Sequence, residues 1–138
     1  MDRGTRNYAI GLGIFVLGLL VLFLYEDPKA SDLNDLLEAE AEITAFPYAF
    51  RVLRISNGIA VMSSPRSTEV PVARVLGILF PRVAGKNPAS AEFQKAQKNL
   101  AKVQTRARDL VVADPEIKRV HWELDRAWLS GHGVIVSP

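Results

Sequence analysis

The hydrophobic residues of this chain are concentrated in one uncharged run near its N-terminus. Residues 8–25 read YAIGLGIFVLGLLVLFLY, and a helix of that length spans roughly 27 Å at about 1.5 Å per residue. This length matches the hydrocarbon core of a bilayer. The run is apolar on every side, whereas a helix at the surface of a soluble core has a polar face. We therefore predict a transmembrane anchor, in contact with membrane lipid from Tyr8 to Tyr25.

A cleaved signal peptide is the alternative for this run. The apolar part of such a peptide usually covers about 7 to 15 residues and ends at small residues of the A-x-A type, whereas this run is followed by Glu26 and Asp27. An uncleaved anchor is therefore favoured. Arg3 and Arg6 precede the run, and cationic flanks stay in the cytoplasm. We expect residues 1–7 to be cytoplasmic and residues 26–138 to lie beyond a bacterial inner membrane, in the periplasm.

Residues 26–46 are expected to form an acidic, membrane-proximal helix. Ser31 can cap the segment SDLNDLLEAEAEI by accepting a hydrogen bond from a free backbone N–H of the first turn. The apolar residues expected on its buried side are Leu33, Leu36, Leu37 and Ile43. Pro47 ends this pattern, and residues 47–138 are predicted to form a small extracytoplasmic domain.

A β-hairpin is the strongest local signal in that domain. Asn57-Gly58 separates two β-rich runs in AFRVLRISNGIAVMSS, and both residues tolerate the positive φ of a two-residue type I′ turn. The predicted pairs are Ile55 with Ala60 and Leu53 with Met62 on one face, and Arg54 with Val61 on the other.

Two helices are predicted after the hairpin. The first covers VPVARVLGILF, whose apolar residues are Val72, Val75, Leu76, Leu79 and Phe80. The second covers residues 89–113, where apolar residues recur at steps of three and four: Phe93, Ala96, Leu100, Val103, Ala107 and Leu110. The opposite side of this long helix is basic and is our candidate binding surface: Lys95, Lys98, Lys102 and Arg106.

The last segment has two interpretations. Residues 117–124 are either a helix that begins at Asp114-Pro115 or a strand with alternating sides, and the strand is favoured because a third strand stabilises a hairpin. The predicted class is therefore α+β: a single N-terminal transmembrane helix, then a hairpin plus one further strand packed against two or three helices.

Charge is segregated along the chain. Residues 26–42 contain seven acidic side chains and one lysine, whereas residues 49–110 contain eleven basic and three acidic side chains. The formal net charge of +2 conceals this division. The basic side of the long helix has no stacking aromatic residue, so we expect no specific nucleic-acid binding. This side is either a solvated face, which is the favoured interpretation, or an ionic contact with an acidic partner or with the chain's own acidic segment.

Few residues suit catalysis. The chain has no cysteine and no HExxH, GxSxG or P-loop pattern. On a strand, His121, Glu123 and Asp125 would share one side, which is a possible acid-base or metal site, although a solvated strand face has the same pattern. We predict no cofactor and no metal, and an enzyme is the less favoured class.

Three segments resemble a family of small, poorly characterised bacterial membrane-anchored proteins: AFRVLRISNGIAVMSSPRS, VARVLGILFP and DPEIKRVHWELDRAWLSGHGV. Some members of that family carry the name glutamate-ammonia-ligase adenylyltransferase. The chemistry in that name needs a Gly-Ser turn followed by an Asp-x-Asp pair that holds magnesium, and this chain has neither. The resemblance therefore implies membrane anchoring and no site residue.

Together these patterns predict an anchored interaction or assembly module of the cell envelope that binds another envelope protein. The alternatives are a small envelope enzyme or metal site built on His121, and a binder of anionic lipid or polymer.

Overall fold

The computed structural model describes residues 2–24 and 27–136. Six α-helices are found in this part of the chain: α1 Arg3–Leu24, α2 Pro28–Ala39, α3 Ala41–Thr44, α4 Val72–Leu79, α5 Ala91–Val112 and α6 Arg126–Gly131. The three strands are β1 Val52–Ser56, β2 Ile59–Ser64 and β3 Arg119–Leu124, and a short 3-10 turn covers Pro81–Val83. The α+β class is confirmed, and β3 decides the ambiguous segment in favour of the strand.

Helix α1 contains residues 8–24 of the predicted anchor and begins five residues before it. The helix is long enough and apolar enough from Arg3 to Val21 to cross a membrane, and none of these residues is buried against another part of the chain. Tyr25 and Glu26, at the predicted end of the span, lie outside the described residues.

Helix α2 begins earlier than the sequence pattern indicated. Asp27 is its N-cap and accepts a hydrogen bond from the backbone N–H of Lys29 at 2.9 Å. Pro28 fits the first helical position because an N–H there would have no partner within the helix. Ser31 lies inside the first turn, so the prediction that Ser31 caps the helix is wrong.

One side of α2 and α3 belongs to the hydrophobic core of the domain. Leu33, Leu37 and Ile43 are buried as predicted, but Leu36 is 44% exposed, so its prediction was wrong. At 100° per residue, Leu36 lies about 110° from the centre of the buried side of α2. The acidic segment therefore shares one core with the strands.

Asn34 takes a buried position on α2 and binds the backbone of the edge strand β1. Its side-chain Nδ2 donates to the carbonyl oxygen of Val52 at 3.0 Å, and the N–H of Val52 donates to Asn34 Oδ1 at 2.7 Å. Unpaired groups at the edge of a sheet can pair with another chain. The amide of Asn34 occupies both of these groups at Val52.

The hairpin turn has the predicted form. Asn57 has φ 53° and Gly58 has φ 77°, as a type I′ turn requires at its two central residues. Two of the predicted pairs are also present, Arg54 with Val61 and Ile55 with Ala60.

Beyond those pairs the predicted register is wrong. Met62 was predicted to pair with Leu53, but it pairs with Val52, because the register shifts between Val52 and Arg54. A β-bulge places an extra residue in one strand and moves its side chain out of the alternation. Accordingly Val52 is buried, and Leu53 is 46% exposed.

The third strand runs parallel to β2, so the sheet order is β1-β2-β3. A parallel pair needs a long crossover connection, which here contains α4, the 3-10 turn and α5. The buried residues of α5 are Phe93, Ala96, Leu100, Val103, Ala107 and Val111, which confirms the predicted core side except that Leu110 is only partly buried. As a result, the C-terminal ends of β2 and β3 lie at the same end of the sheet, beside α5.

Candidate functional site

The four predicted basic residues, Lys95, Lys98, Lys102 and Arg106, all lie on the exposed side of α5. Two of them form ion pairs with the acidic segment of the same chain. Lys102 Nζ lies 3.6 Å from Glu42 Oε1, and Arg106 Nη2 lies 3.4 Å from Glu40 Oε2. The acidic segment thus neutralises the C-terminal half of the basic row.

The N-terminal half of the row remains open. Lys95 and Lys98 are exposed, and neither forms an ion pair with another residue of the described chain. Exposed ion pairs contribute only about 0 to 1 kcal/mol, so Lys102 and Arg106 can also exchange their partners at little cost. The surface that this row offers to an acidic partner is therefore centred on Lys95 and Lys98.

The three residues of the possible acid-base site, His121, Glu123 and Asp125, do not contact one another as a group, because the two carboxylates have other partners. His121 is exposed, while both oxygens of Glu123 accept hydrogen bonds from Arg54, at 3.1 and 3.2 Å. Arg54 lies on β1 and Glu123 on β3, so this ion pair crosses the middle strand. The hydrogen bonds from Arg54 hold the pKa of Glu123 below its ordinary value.

Asp125 has a structural role at the start of α6. It accepts hydrogen bonds from the Tyr48 hydroxyl at 2.8 Å and from the backbone N–H of Trp128 at 3.0 Å. Burial raises the pKa of Tyr48, which keeps its hydroxyl protonated as a donor. Within residues 2–24 and 27–136, no group of three His, Asp or Glu side chains is arranged to hold a metal ion. The geometry thus leaves His121 without a carboxylate dedicated to it.

A depression that the sequence analysis did not find lies between α5 and the shared end of β2 and β3. Its volume is about 170 Å³, and it is lined by Arg66, Ala101, Gln104, Thr105, Arg108 and Trp122. Arg66 follows the end of β2, Trp122 lies on β3, and the other four lie on α5. Ligands of sheets with parallel strands commonly bind beyond the carboxyl ends of those strands.

The depression was missed because its residues come from three elements that are far apart in sequence. On a helical projection Arg108 falls outside the row from Lys95 to Arg106, so the periodicity of the helix does not group it with them. One residue in the sequence does indicate a polar site here: Gln104 borders the buried side of α5, one turn before Arg108. Only the parallel direction of β3 brings Trp122 to the same place.

No protein-family model, no curated protein and no solved structure matches this chain. The resemblance to the membrane-anchored bacterial family accordingly stays a prediction.

Proposed function

We propose that this chain is a membrane-anchored interaction module of the cell envelope. In this proposal α1 crosses the inner membrane with residues 1–7 in the cytoplasm, and the α+β domain lies on the extracytoplasmic side. The domain binds an acidic envelope protein through the basic side of α5.

The observation that carries the proposal is the exposure of α1 next to a domain that is packed without it. Apolar residues occupy α1 on all sides, and none of the described residues of α1 belongs to the hydrophobic core. Burying such a surface in hydrocarbon is favourable by about 25 cal/mol for each Å² removed from water. Arg3 and Arg6 support the cytoplasmic position of the N-terminus.

Lys95 and Lys98 support the second half of the proposal, because they are exposed cations without carboxylate partners in the described chain. Complementary charges at a rim mainly increase association rate and specificity. Contact with an acidic partner would therefore be sensitive to salt, since the screening length falls to about 3 Å at 1 M ionic strength.

The test compares two full-length double variants in native membranes. Lys95→Glu with Lys98→Glu reverses the open end of the basic row, and Arg82→Glu with Lys118→Glu makes the same change in net charge at other exposed positions. After chemical cross-linking and isolation in mild detergent, a cross-linked protein should be recovered with wild type and with the second variant. It should be lost with the first variant and at high salt.

Equal recovery with both variants would contradict an interaction through α5. An enzyme built on His121 makes a different prediction, because His121→Ala would then abolish function without affecting recovery of the cross-linked protein.

A further inference from the structure

We propose that the depression formed by Arg66, Gln104, Arg108 and Trp122 binds a phosphoryl group. This site lies on a different side of α5 from Lys95 and does not depend on the protein partner proposed above.

The positive charge of the depression is not compensated by acidic residues in its lining. Arg66 and Arg108 both line the depression, and no acidic residue does. Six basic residues of the described domain form ion pairs with a carboxylate, but neither of these arginines does. The lining thus carries two positive charges and no negative one, and a bound anion would be attracted to both cations.

A buried side chain of the core supports the depression from below. Ser64 is completely buried; its hydroxyl donates to Gln104 Oε1 at 3.0 Å and accepts from the backbone N–H of Arg66 at 3.1 Å. One buried hydroxyl thus holds two residues of the depression in place. Because Gln104 Oε1 is occupied by Ser64, the amide N–H groups of Gln104 remain as donors, and they have no partner among the described residues.

The number of hydrogen-bond donors around the depression favours phosphate over carboxylate. Each guanidinium carries five N–H donors and binds oxyanions through two parallel hydrogen bonds. Two arginines and an amide together offer more donors than the two oxygens of a carboxylate can accept, whereas a phosphoryl group presents three terminal oxygens. The Trp122 ring adds an apolar wall for the organic part of a ligand.

The test uses the full-length protein, labelled with nitrogen-15, in an uncharged detergent and a phosphate-free buffer. Inorganic phosphate should produce a saturable shift of the Trp122 indole N–H resonance, while the indole of Trp128 on α6 stays unchanged as an internal control. Arg66→Gln and Arg108→Gln should each weaken binding by about tenfold or more, the range expected for a lost charge-assisted hydrogen bond. Arg82→Gln, an exposed arginine elsewhere, should change the affinity by less than about twofold.

A phosphoryl group can come from a soluble metabolite or from a lipid headgroup. Glycerol 3-phosphate represents the soluble metabolites, and a soluble short-chain phosphatidic acid represents the lipid headgroups. The compound that binds more tightly, and whose binding is weakened by Arg108→Gln as phosphate binding is, identifies the source. Three results would overturn the proposal in a variant that keeps a dispersed spectrum: no saturable shift with phosphate, equal weakening by Arg82→Gln, or saturation by acetate at the same concentration.

Discussion

At the scale of single residues, Gly58 has the most constrained backbone position in the hairpin. Its φ of 77° is unfavourable for residues with a side chain, and an added Cβ would lie 3.1 Å from Lys118 Cγ. Gly58→Ala should therefore destabilise the domain by about 1 kcal/mol or more. For a domain of this size that corresponds to a decrease in Tm of about 4–8 °C, measured by circular dichroism.

The control for that substitution is Gly131→Ala. Gly131 lies at the end of α6, and an added Cβ there would have nothing within 4 Å. If Gly58→Ala leaves Tm unchanged, or lowers it no more than Gly131→Ala does, the type I′ turn is not required for stability.

The ion pair across the sheet predicts a pH effect. Arg54 lowers the pKa of Glu123 below its ordinary value of 4.5. A carboxyl group with a lowered pKa in the folded state stabilises the fold above its unfolded pKa, and this contribution is lost as pH falls through the folded pKa. Both side chains are exposed, so the effect on total stability is small.

Carbon-13 NMR of the Glu123 carboxyl group measures this pKa directly. Arg54→Gln should raise it towards 4.5, and Arg51→Gln, a neighbouring exposed arginine without an ion pair in the described chain, should leave it unchanged. A Glu123 pKa that does not respond to Arg54→Gln would contradict the ion pair.

At the scale of elements, α2 provides a matched pair of leucines. Leu37 is 1% exposed and Leu36 is 44% exposed on the same helix. Leu37→Ala should cost about 2–5 kcal/mol, the usual range for a leucine in a packed core, and Leu36→Ala should cost less than about 1 kcal/mol. Chemical denaturation of the two variants in the same detergent compares them. Equal losses would show that α2 does not pack through Leu37.

Local signals in the sequence predicted the elements better than their boundaries and registers. Asn57-Gly58 determined the turn, because few residue pairs adopt two positive φ angles. The bulge at Leu53 has no such local signal, and the contact beside it, in which Asn34 binds the backbone of Val52, comes from another element. Ser31 was a misleading cap because Asp27-Pro28 offers an equally good start one turn earlier.

At the scale of the whole molecule, the sequence pattern predicted which side chains of α5 are exposed but not which residues of other elements they contact. The periodicity of α5 correctly placed Lys95 and Lys98 on an exposed side, because that placement depends only on the helix. The partners of Lys102 and Arg106 depend on the packing of α3 beside α5, and the depression at Arg108 depends on the parallel direction of β3. Both are tertiary features that no local pattern encodes.

The central claim is that α1 anchors an extracytoplasmic domain, and a pair of C-terminal fusions tests it most directly. An alkaline phosphatase fused after residue 138 is active only outside the cytoplasm, and a β-galactosidase at the same point is active only inside it. With Arg3 and Arg6 holding the N-terminus in the cytoplasm, the account predicts an active phosphatase, an inactive galactosidase, and a fusion protein that stays in the membrane fraction after alkaline carbonate extraction. An active galactosidase with an inactive phosphatase, or release of the protein by carbonate, would contradict it.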